Sequence, residues 1–124
     1  MSASAVLLIL SGTILTFFPE ELVRSFGIRM EPASVFLLQI LGALYFAFGM
    51  LNWMNRTSVI GGIYNRPVAI ANSAHFLIAG IALLKGLIAY PDLPPFIWLG
   101  TSIYVVFAAL FSFMLFNHPV RRTT

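Results

Sequence analysis

Side chains able to do chemistry are scarce inside the long apolar runs of this sequence, and those present gather in two stretches. LQILGALYFAFGMLNW, residues 38–53, holds Gln39, Tyr45 and Asn52, and NRPVAIANSAHFLIAGIALLKG, residues 65–86, holds Asn72, His75 and Lys85. An imidazole can carry a proton, ligate a metal or simply exchange hydrogen bonds. Polar groups in hydrocarbon are costly unless something pairs them, so each of these residues needs a partner. Two readings of His75 follow: a neutral imidazole bonded to an amide or carbonyl of another helix, or a polar anchor for a small molecule. Asn72 and Gln39 read first as interhelical hydrogen-bonding groups. Lys85 lies near a span end and can extend its ammonium outward along its own stem.

Catalytic and metal chemistry find little to work with. The chain has no cysteine, which removes disulfides, iron–sulfur clusters and thiol catalysis, including quinone-linked thiol oxidases. All four acids, Glu20, Glu21, Glu31 and Asp92, fall outside the apolar runs, so the intramembrane glutamate of small proton-coupled exporters is missing. The second histidine, His118, follows the last run and sits too shallow to pair with His75 on a haem. No HExxH or carboxylate–histidine set is present. No catalytic residue, metal site or cofactor is predicted, although a bound lipid or quinone would suit the second reading of His75.

The elements that must position these residues follow from composition. Of 124 residues, 60% are hydrophobic and 9% charged, and the mean hydropathy of +0.94 exceeds what a soluble domain of this size could bury. The apolar residues form four blocks, predicted to span a membrane over about residues 3–18, 34–53, 68–90 and 96–116. The first block lacks preceding Lys or Arg, and TFFPEE offers no small-residue cleavage site, so it reads as a retained helix. PEELVRSFGI, with Pro19 opening and Gly27 closing it, predicts a short helix whose Leu22, Val23 and Phe26 share one face and lie on the membrane surface. Asn65 is expected to cap the third span, with Pro67 in its first turn. The expected fold is all-α, a single domain over residues 1–124: a four-transmembrane-helix bundle with a short interfacial helix after the first span.

Trp53, Tyr64, Tyr90 and Trp98 fall at predicted span ends, where amphipathic rings anchor to headgroups. Arg56, Arg66, Arg121 and Arg122 share one side, against Arg24, Arg29 and Lys85 on the other. The more basic side should be cytoplasmic, so the chain is predicted to cross the cell membrane with both termini in the cytoplasm. Arg121 and Arg122 suit anionic headgroups better than nucleic acid, and no nucleic-acid partner is predicted. Gln39, Gly42, Phe46, Gly49 and Trp53 share a face of the second span, and Asn72, His75, Ala79, Ala82 and Gly86 share a face of the third. These faces are expected to meet, with Gly42, Gly49, Ala79 and Ala82 as the packing residues. Ser4, Ser11 and Gly12 on the first span and Gly100, Tyr104 and Ala108 on the fourth supply further contacts. Counting eight residues into each span brings Tyr45 level with His75, and Asn52 near Asn72, so these four could form a polar cluster in the inner leaflet.

LQILGALYFAFGMLNW and RPVAIANSAHFLIAGIALLKG, in the order short helix, surface helix, three spans, resemble the DoxX-like small four-helix membrane proteins of bacteria. That resemblance covers most of the chain and implies no settled activity; some relatives are regarded as membrane partners of redox enzymes or quinone-handling systems. It carries over no catalytic residue. The expected function is therefore a non-catalytic membrane protein, the subunit or partner of a larger assembly, or a homo-oligomer in the bilayer. The alternative is a protein binding a quinone, lipid or sterol-like molecule, anchored by His75 and Asn72 with Asn52 and Tyr45 nearby.

Overall fold

In the computed structural model, residues 1–27, 29, 31–57 and 65–117 are described. Tyr64, His118, Arg121 and Arg122 lie outside them. Five helices follow in order: α1 Ser2–Phe17, α2 Pro19–Ser25, α3 Pro32–Met54, α4 Asn65–Ala89 and α5 Pro95–Asn117. The described residues are 87% helical and contain no strand. Helices satisfy their own backbone groups, which hydrocarbon requires.

Proline and glycine set the boundaries. Pro19, Pro32 and Pro95 stand at the first residues of α2, α3 and α5, where a missing N–H costs nothing and the fixed φ suits the helix. Gly27 follows α2 with φ +67°, and its N–H bonds to the Arg24 carbonyl at 3.0 Å; a side chain would be strained in that conformation. Glu20 and Glu21 occupy the first turn of α2 and Arg24 its last, each matching the helix dipole. Asn65, expected just ahead of its helix, is the first residue of α4 and is buried.

By length and composition α3, α4 and α5 can each cross a membrane. At 16 residues, α1 reaches only about 24 Å against roughly 30 Å of hydrocarbon. It qualifies as a span only together with α2, from which it is bent by 93°.

The chain divides into two compact units, Met1–Thr57 and Ser58–Thr124, and each is described by itself. In the first, α1 runs antiparallel along α3: Ser4 meets Asn52, Ile9 meets Gly49, and Gly12 and Thr16 meet Gly42. Beyond the bend, Glu20 of α2 lines a cleft with Glu31, Pro32, Val35 and Phe36 at the start of α3. α1 therefore follows α3, while α2 turns away from that course and meets α3 only near its start. Pro19 and Val23 are the buried residues of α2, with Leu22 half-buried beside them. In the second unit α4 packs against α5 through Ser73, Phe76 and Gly80 on one side and Tyr104, Phe107, Phe111 and Ser112 on the other.

Candidate functional site

In the first unit the glycines bring two backbones into contact. A Cβ built on Gly12 would lie 2.5 Å from the Phe46 nitrogen and 2.6 Å from the Gly42 oxygen, and one on Gly49 would lie 2.8 Å from the Ile9 nitrogen. One on Gly42 would collide with the Thr16 hydroxyl. Only hydrogen fits at these points. The face of α3 expected to meet the following span is therefore occupied by α1, which corrects the partner assigned to Gly42 and Gly49. The spacing located the face correctly, but a stripe of small residues carries no label for the helix that fills it.

Beside this seam Asn52, fully buried, donates from Nδ2 to Ser4 Oγ at 3.3 Å, and Ser4 Oγ donates in turn to the Met1 carbonyl at 2.8 Å. This links α1 to α3 at one end of the pair. Thr13 and Thr16 return their hydroxyls to the carbonyls of Ile9 and Gly12, four residues back on their own helix. Tyr45 and Gln39 are half-buried on α3.

The second unit holds His75 and Asn72 on α4, three residues apart. Asn72 is fully buried and donates from Nδ2 to the Val68 carbonyl at 2.8 Å. His75 is half-buried, its ring edge-on to Phe76 at 5.0 Å and tilted against Tyr104 at 5.7 Å. Phe76 then contacts Tyr104 at 5.1 Å and stacks on Phe107 at 4.9 Å and Phe111 at 5.7 Å. These separations are those of attractive aromatic pairs. On the same helix pair the hydroxyls of Ser73 and Ser112 meet at 3.1 Å. Ala79 is half-buried and Ala82 exposed. Ser73, Phe76 and Gly80 of α4 meet α5 one position along from the face that carries His75 and Ala79, and His75 reaches Tyr104 from the edge of that contact.

The proposed polar quartet thus divides between the units, Tyr45 and Asn52 in one and Asn72 and His75 in the other. The sequence reading missed Phe76, Phe107, Phe111 and the Ser73–Ser112 pair. The signal was present as the 3-4 spacing of Tyr104, Phe107 and Phe111, a stripe indistinguishable from ordinary apolar content in a chain with 15% aromatic residues. Along the α4–α5 pair runs an apolar groove of about 280 Å³ floored by Gly80, Ala108 and Ala109, which neither His75 nor Asn72 lines. Among the described residues no three His, Cys, Asp or Glu side chains group together. Compared with protein-family models, curated proteins and solved structures, the chain matches none.

Proposed function

We propose that this chain is a small non-catalytic integral membrane protein, crossing the cell membrane four times with both termini cytoplasmic, and acting as a subunit or partner of a larger membrane assembly. One observation carries the reading: the buried side chains of Ser4, Asn52, Asn72, Ser73 and Thr101 bond within the chain's own helices, while large apolar side chains face outward. Asn52 with Ser4, Asn72 with Val68 and Ser73 with Ser112 are structural pairings. Phe36, Leu37 and Leu44 on α3 and Phe113 and Phe116 on α5 are more than 60% exposed, surfaces for lipid or for another helix. The antiparallel course of α1 beside α3 supports a first crossing, and the resemblance to DoxX-like proteins agrees with the helix order.

Native mass spectrometry of the tagged protein, gently solubilised from its own membrane, tests this. A membrane protein retained at fixed stoichiometry is the expected result. A chain that carries only a stoichiometric quinone or lipid overturns it in favour of a second reading, in which His75 and Asn72 anchor a lipophilic ligand. The second reading draws on His75 standing half-buried at the edge of an aromatic cluster, a surface suited to a flat ring.

A further inference from the structure

We propose that the seam between α1 and α3 holds one anionic phospholipid, its acyl chain in an apolar groove and its phosphate on Arg56. This site shares no residue with the His75 region and does not depend on the subunit reading.

The groove, of about 330 Å³, is lined by Val6, Ile9 and Leu10 of α1 and by Met50 and Trp53 of α3. It is open along its side and apolar throughout, and within a bilayer it lies parallel to the lipid chains. Trp53, whose amphipathic indole suits the headgroup level, is one of its walls. Arg56 sits over that indole, its guanidinium carbon 4.2 Å from the ring centroid. Stacking orients the planar fork. Arg56 Nη1 donates to the Trp53 carbonyl at 2.8 Å, which engages one of five N–H donors; the side chain is exposed, leaving donors to engage a phosphate.

Charge along the unit agrees. The hydrogen bond from Asn52 to Ser4 sets the N-terminus of α1 beside the C-terminal end of α3, so the positive end of the α1 dipole lies at the level of Arg56. No acid stands in the first turn of α1. The acids of this unit, Glu20, Glu21 and Glu31, belong to α2 and the start of α3, about 30 Å away along the helix. The groove therefore has an apolar body, with Arg56 stacked on its Trp53 wall and no competing carboxylate beside it among the described residues of this unit, which selects an anionic over a zwitterionic lipid.

The two tryptophans, Trp53 and Trp98, make the test direct. In a Trp98→Phe background only Trp53 fluoresces, and the full chain is reconstituted into phosphatidylcholine vesicles doped with brominated phosphatidylglycerol or brominated phosphatidylcholine. The anionic probe is expected to quench at about fivefold lower mole fraction, the preference one surface arginine supplies. Arg56→Gln should abolish that preference, Arg56→Lys should keep much of it, and Val6→Phe, filling the groove, should weaken quenching by the anionic probe. Should Arg56→Gln fail to fold, the parent decides: raising salt to about 0.5 M should erase the preference by screening. Equal quenching by both probes, or a preference that survives both Arg56→Gln and high salt, overturns the proposal and leaves Arg56 as a helix cap alone. Quenching by neither, with Val6→Cys chains cross-linking to each other, overturns it by showing a second copy in the groove.

Discussion

Asn52 shows how a polar side chain holds a place in an apolar helix pair: it bonds to Ser4 across the α1–α3 seam, and both are fully buried. Asn52→Leu removes the bond and should lower stability in detergent by about 0.6–1.7 kcal/mol, the range for bonds between membrane helices. A Ser4→Ala, Asn52→Leu double-mutant cycle should return a coupling of the same sign, and strict additivity would mean that the pair does not act as one. His75 sits differently, against Phe76 and Tyr104 at the edge of a ring cluster. If its role is structural, His75→Gln should cost little and His75→Leu about 0.6–2 kcal/mol, counting lost polar and ring contacts. If it anchors a ligand, both variants lose the bound molecule while the bundle stays folded, and both melt lower by the same amount, the stabilisation the ligand supplied. Melting curves and mass spectra of the same two samples distinguish the cases.

At the level of elements, the glycines separate into two kinds. Gly12, Gly42 and Gly49 face backbone at distances no Cβ tolerates, whereas a methyl group placed on Gly86 or Gly100 would have nothing within 4 Å. Gly49→Ala or Gly42→Ala must push α1 from α3 and should cost about 1–3 kcal/mol. Gly86→Ala and Gly100→Ala should be neutral or gain up to about 1 kcal/mol from helix propensity. A thermal-shift series over these four variants checks the contrast, and equal effects at all four positions would show that α1 does not lie on this face of α3.

For the whole molecule, the decisive quantity is the number of crossings. The chain has no cysteine, so single-cysteine variants report sidedness without background. With four crossings, Glu31→Cys and Asp92→Cys should react with an impermeant maleimide from outside intact cells, and Ser2→Cys and Thr57→Cys only after permeabilisation. Labelling Ser2→Cys and Glu31→Cys from the same side would make the bent α1–α2 pair a re-entrant loop and leave three crossings.

Much of this architecture was legible in the residues alone. Apolar block length, with Pro19 opening the short helix and Pro67 in the first turn of the third span, placed all five helices to within a few residues, because a helix that must cross hydrocarbon has little freedom in length. Spacing on α3 also found the face that carries Gly42 and Gly49. What sequence could not assign was the neighbour: between helices in lipid burial does not choose a partner, and a stripe of small residues marks a face without naming the helix that fills it. Tertiary structure decided that through fit, where the hydrogen atoms of Gly12, Gly42 and Gly49 let α1 lie against α3 and put Ser4 within reach of Asn52. The same fit set Trp53, an ordinary span-end residue in sequence, in the wall of a groove, with Arg56 stacked on its ring.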